Sequence, residues 1–186
     1  MGRFADAQRE MDRARELDPL SPYFHVGTAL PVYFARQYDQ AIVQLRRIVA
    51  LNPDFSNAYL NLGFAYAQNG MSEEAIAALR KARSLNEWPV TLASLGYAYT
   101  KAGQREEAQK VLAELREQAG RGQGSEYYLA LVYAGLGEKD QAIAELERAY
   151  QMRNTDLINL KVDPFFDSLR SDPRFKVLLQ RLNLAP

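Results

Sequence analysis

The chain has 186 residues, 47% of them hydrophobic, and its 23 basic and 23 acidic side chains cancel. That length is ample for a continuous core, whereas balanced, interspersed charge lacks the basic face needed to displace counterions from nucleic-acid phosphates. Without cysteine there is no disulfide framework and no thiolate metal site.

No stretch approaches the roughly eighteen uninterrupted apolar residues of a membrane span. The opening MGRFADAQREMDRAREL is charged throughout and lacks the apolar segment of a secretion signal. The cytoplasm is therefore the default location.

The first predicted element, within residues 1–21, is a single helix. Gly2, Ala7, Met11, Ala14 and Pro19 sit where later units place the marker residues of a second helix, but no first helix precedes them. This opening is expected to be a piece cut from a longer protein. Its orphaned face of Phe4, Ala7 and Met11 would then be covered by another copy of the chain, giving a homo-oligomer.

Four two-helix units follow at 22–55, 56–88, 89–122 and 123–154. The alanine after each turn falls at Ala7, Ala41, Ala75, Ala108 and Ala142, in steps of 34, 34, 33 and 34. A small residue in each preceding segment, Ala29, Gly63, Gly96 and Ala130, steps by 34, 33 and 34. The one-residue deletion falls in the loop where NEWPV replaces the LDP and LNP of 17–19 and 51–53, so the helix faces stay in register.

Each unit carries two apolar stripes at helical spacing, in the second unit Tyr59, Leu62, Gly63, Tyr66 and then Ala75, Ile76, Leu79, Ala82. Gly70, Gly103 and Gly137 end the first helices, because glycine accepts the left-handed conformation of a helix stop. So short a connection forces the two helices antiparallel. Gly63 and Ala75 leave room for close approach at the helix crossing, and one hairpin cannot bury both stripes, so hairpins must stack.

Beyond Asn154 the pattern stops. Asp163-Pro164 and Asp172-Pro173 each pair an N-cap acceptor with a proline at the first helical position. Two or three short helices are expected over 155–186, packing through Leu157, Leu160, Phe165, Phe166, Leu169, Phe175, Leu178 and Leu179. They would seal the last hairpin as a cap or, alternatively, fold back into the groove as an internal ligand.

These units resemble the tetratricopeptide repeat. The second matches with Tyr59, Leu62, Gly63, Tyr66, Gly70, Ala75, Leu79 and Ala82, and departs with Glu87 where proline is usual. The third matches with Leu95, Gly96, Tyr99, Gly103, Ala108 and Leu112. The fourth keeps Leu129, Ala130, Tyr133, Gly137, Ala142, Leu146 and Ala149. The first is looser, with Arg36 for the turn glycine and His25 at the aromatic position.

The resemblance implies one all-α domain over 1–186, a right-handed superhelical solenoid of antiparallel hairpins with a helical cap. It also implies non-catalytic protein recognition, with the first helices lining a concave groove. The last sixty or so residues further resemble the repeat region that ends bacterial signalling proteins. That likeness implies an alternative role as a regulatory or sensory module that binds a small ligand and controls an attached output domain.

A second stripe in each first helix supplies the candidate groove: Tyr23, Val26, Leu30, Tyr33; Asn57, Leu60, Phe64, Ala67; Val90, Ala93, Tyr97, Thr100; and Gly124, Tyr127, Leu131, Ala134. Packing between adjacent first helices would consume part of it. The aromatic excess favours a binding wall, since tyrosine and phenylalanine give rigid contact area at little entropic cost.

Polar groups on this wall are few: Asn57, Asn61, Gln68 and Lys101. The carboxylate clamp of some family members is absent, because Val26, Leu30, Leu60, Phe64, Ala93 and Tyr97 hold the matching offsets. The expected partner is a protein or peptide presenting an apolar or amphipathic segment.

No catalytic, cofactor or metal site is expected. His25, the single histidine, occupies a packing position. Glu73-Glu74 and Glu106-Glu107 fall in the first turn of second helices, where negative charge suits the helix dipole. Trp88 reads as a loop packing anchor.

Overall fold

The computed structural model describes residues 3–120 and 126–184; Gly2 and Gly124 of the patterns above lie outside the described residues. Ten α-helices are described: α1 (Phe4–Leu17), α2 (Pro22–Phe34), α3 (Tyr38–Leu51), α4 (Ser56–Gln68), α5 (Ser72–Leu85), α6 (Pro89–Lys101), α7 (Arg105–Gly120), α8 (Glu126–Leu136), α9 (Lys139–Gln151) and α10 (Pro173–Arg181). Two short 3-10 helices, η1 (Thr155–Asn159) and η2 (Pro164–Leu169), precede α10. The fold is an all-α helical repeat, with no strand among the described residues. Its contacts gather into two compact units, Met1–Thr91 and Leu92–Pro186.

In unit 1, α2 packs on α3 and α4 on α5, with α1 laid against α2 and α3 against α4. The small-residue columns explain why the hairpins close. Ala41, Ala75, Ala108 and Ala142 are all 0% exposed. A Cβ added at Gly63 would stand 2.5 Å from Leu79 Cγ, so any side chain there would push α4 off α5. The exception is Ala7 of α1, which is exposed although it holds the same register. Its neighbours in the predicted face fare differently, with Phe4 and Met11 half-buried.

In unit 2, α8 packs on α9 and α7 on α8. A Cβ at Gly96 would meet Val111 on α7 at 2.7 Å and Val132 on α8 at 2.9 Å, so that glycine sits where three helices converge.

Each hairpin turn uses the same device. Gly70, Gly103 and Gly137 have φ of 77°, 73° and 77°, and the N–H of the following residue reaches back to a helical carbonyl: Met71 to Tyr66, Gln104 to Tyr99, Glu138 to Tyr133. The first hairpin makes the equivalent bond from Gln37 to Val32, with Arg36 in the left-handed conformation at φ 66°. The sequence departure at Arg36 thus leaves the turn geometry intact, at the cost of placing a non-glycine residue in a disfavoured region.

Between repeats, the repeat tyrosine is a docking point for the preceding helix. Tyr66 on α4 accepts from Arg46 Nε on α3 at 2.6 Å, and Tyr133 on α8 accepts from Arg116 on α7. Both guanidinium groups also lie over the rings they bond. The tail caps as the sequence predicts: Asp163 accepts from the Phe165 N–H at 3.0 Å and Asp172 from the Arg174 N–H at 2.9 Å. Asn154 does the same for η1, accepting from the Asp156 N–H at 2.8 Å.

Candidate partner-binding face

In unit 1 the predicted stripe divides into a buried seam and an open edge. Val26, Tyr33, Leu60 and Asn61 are buried, while Leu30, Asn57, Phe64 and Gln68 are half-buried and Tyr23 is 62% exposed. The division follows from α2 packing on α4, since whatever lies in that seam is shared between the two first helices. Rings tie the edge together. Tyr33 lies 6.3 Å from Phe64, and Tyr23 meets Phe55 edge-on at 4.8 Å. Asn61 donates to the Asn57 carbonyl at 2.8 Å and so braces the polar rim of α4. The half-buried Leu30 and Phe64 leave apolar surface that a second molecule could cover.

Unit 2 treats its stripe differently. Tyr97, Tyr127 and Leu131 are buried; Lys101 is exposed, with its ammonium 5.0 Å from the Tyr97 ring centroid. The two tyrosines are covered by the chain's own tail. Phe165 of η2 stands edge-on to Tyr97 at 4.7 Å, and Phe166 edge-on to Tyr127 at 5.3 Å. Tyr127 donates its hydroxyl to Asp163 Oδ2 at 2.6 Å. The adjacent Tyr128 hydrogen-bonds Asp156 of η1, and burial with that carboxylate beside it holds its hydroxyl protonated far above the ordinary phenol range.

Tyr97 and Tyr127 can share one occupant because α6 and α8 approach closely. Glycine at 135 makes this possible: a Cβ there would be 2.5 Å from Thr100 Oγ1 and 2.8 Å from Tyr97 Cδ2. The sequence marked Phe165 and Phe166 as packing residues. It offered the groove as one of two places for the tail without saying which of its rings meet Tyr97 and Tyr127, and it missed Asp156 and Tyr128 altogether. The only sequence signal was the aromatic pair directly behind the Asp-Pro cap.

The tail also seals the last hairpin. Arg174 on α10 bonds Asp140 of α9 at 2.8 Å, Arg181 bonds Glu147 at 2.6 Å, and its guanidinium lies 4.2 Å from the Tyr150 ring centroid. Exposed pairs of this kind contribute little individually. The packing of Phe175 and Leu178, both 0% exposed, holds the helix down.

The remaining candidates lie off this wall. A cleft of about 530 Å³ opens between α1 and α3, lined by Asp12, Arg15, Gln44 and Arg47 with His25 and Thr28 of α2. His25 Nε2 is 2.8 Å from the Pro19 carbonyl and ties down the loop before α2. Glu73, Glu74 and Glu106 are exposed on the first turns of α5 and α7. Trp88 is half-buried, and its carbonyl accepts from the Thr91 N–H at 3.0 Å. Glu145 on α9 is buried beside Arg148, and desolvation raises its carboxyl above the ordinary range despite that cation. Among the described residues no cluster of three or more His, Asp or Glu could hold a metal ion, and no helix is long and apolar enough to cross a membrane.

Family models described as "TPR repeat" and "Tetratricopeptide repeat" match residues 32–70, 56–87 and 94–156. Among solved structures, a thermophilic TPR protein of Thermus thermophilus is similar at 22% identity, with a TM-score of 0.67 over 84% of this chain and 87% of that one. MamA is similar at 23% identity, with a TM-score of 0.53 over 83% of this chain and 91% of that one. Likeness at this identity speaks for the fold alone. No curated protein matches the chain.

Proposed function

We propose that this chain, a member of the tetratricopeptide-repeat family, holds an apolar or amphipathic protein segment against the open edge of α2 and α4. Repeats of this family generally mediate protein–protein contacts and are generally non-catalytic. The observation that carries the finer reading is the half-burial of Leu30 and Phe64 on a stripe that also carries the exposed ring of Tyr23 and the half-buried Asn57 and Gln68. Apolar anchors inside a polar rim are the arrangement that concentrates binding energy in few residues. With few charges on the rim, burial and shape dominate the recognition, which suits a helix presenting apolar residues on one face.

The experiment is selection of helical peptides from a displayed library against the whole chain, followed by titration of the selected peptide. Leu30→Glu with Phe64→Glu should weaken binding by roughly tenfold or more, the usual loss at an anchor, with helical content unchanged. Unaltered affinity in that variant would remove this edge as the site.

A further inference from the structure

A lid that only closed the last hairpin would rest on α8 and α9. Helix α10 does this through Arg174, Arg181 and Phe175. The stretch before it reaches further, because Phe165 touches Tyr97 on α6, one repeat earlier in the chain. Its contacts have the form of ligand recognition. A carboxylate accepts from a buried tyrosine hydroxyl at 2.6 Å, a proline fixes the turn, and two successive aromatic side chains each stand edge-on to a different wall tyrosine. Arg170 locks that turn from behind, donating to the carbonyls of Lys161 at 2.6 Å and Asp163 at 3.2 Å.

We propose that the face carrying Tyr97 and Tyr127 is a binding site for peptide segments of the pattern acid–proline–aromatic–aromatic. The chain's own Asp163-Pro164-Phe165-Phe166 occupies it in cis, and an external segment of the same pattern enters when the tail leaves. This is a separate site from the unit 1 edge, and it stands whether or not that edge binds anything. Tethering decides the competition. A short linker gives the tail an effective concentration of about a millimolar, so a partner segment at micromolar concentration is disfavoured by roughly a hundredfold or more while the tether is intact.

The test inserts a protease site between Arg153 and Asn154 of the full chain, which is cut after folding. The probe is a labelled synthetic peptide of residues 154–184, followed by fluorescence polarisation. The uncut chain should take up little probe, whereas the cut chain should exchange its tail for it. Unlabelled native peptide should then displace the probe at least tenfold more effectively than peptides carrying Asp163→Ala or Phe165→Ala with Phe166→Ala. Equal displacement by the altered peptides would overturn the proposal. So would a tail that never exchanges, or loss of helical signal on cutting, either of which makes the tail an inseparable part of the core. Probe uptake confined to a dimer of the uncut chain would overturn it in favour of tail exchange between copies.

Discussion

Replacing Tyr127 with phenylalanine removes one oxygen and leaves the packing alone. The ring keeps its edge-on contact with Phe166 at 5.3 Å, and what is lost is the bond to Asp163 Oδ2 at 2.6 Å. Tyr127 is 5% exposed and Asp163 9%, so water has poor access to replace the donor. Asp163 Oδ1 still accepts from the Phe165 N–H at 3.0 Å, and the N-cap survives. A hydrogen bond to a charged group contributes about 1.5–3 kcal/mol. With a urea dependence of about 2 kcal/mol per molar, the urea midpoint should fall by about 1 M. Hydrogen exchange at the Phe165 amide should speed up about 10- to 100-fold, since a tenfold change corresponds to about 1.4 kcal/mol. Urea unfolding followed by circular dichroism, read beside amide exchange, measures both. Combining the change with Asp163→Asn should give clearly less than the sum of the two single losses. An unchanged midpoint together with unchanged Phe165 exchange would refute the claim that this bond pins the tail.

Gly63→Val should destabilise unit 1 by about 1–3 kcal/mol, the usual cost of overpacking, because Leu79 already stands where the new Cβ would go; a raised urea midpoint would contradict this. The pH dependence has two arms of opposite sign. Glu145 has a raised folded pKa, so its protonated form favours folding below the ordinary value of 4.5, and that contribution is lost as pH rises through the folded value. Glu145→Gln should therefore raise the urea midpoint at pH 7, with the gain shrinking toward pH 4. Asp172 is held down to about 2 by its bonds with Arg174, so its contribution is present above 3.8 and lost as pH falls toward 2. Asp172→Asn should flatten that acid limb in an acid titration followed by circular dichroism.

The repeat was legible because its signals are local and recur. Ala41, Ala75, Ala108 and Ala142 mark a helix crossing too tight for larger side chains, and any sequence that builds such crossings must space small residues at the length of the unit. Gly70, Gly103 and Gly137 mark left-handed turns for the same kind of reason. The Asp-Pro caps at 163 and 172 were legible because a cap involves only residues two apart. Arg36 shows where such reading gives out. The turn forms without its glycine because Gln37 still bonds Val32 and the flanking helices over-determine the geometry.

The stripe itself was legible, but its fate was not. Periodicity places Leu30, Phe64, Tyr97 and Tyr127 on one kind of helix face without saying what covers that face. In unit 1 the answer depends on how much of the stripe α2 and α4 bury between them, which leaves Leu30 and Phe64 half-open. In unit 2 it depends on a non-repeating segment some forty to seventy residues away in the chain, whose Phe165 and Phe166 come to rest on Tyr97 and Tyr127.

By itself, then, the sequence determined the helices, their pairing into hairpins and the turns between them, since each rests on residues close enough in the chain to constrain one another directly. Tertiary structure alone decided which wall is open and which is filled. That choice turns on contacts between distant segments, Tyr127 with Asp163 above all, and no short-range pattern records a meeting of that kind.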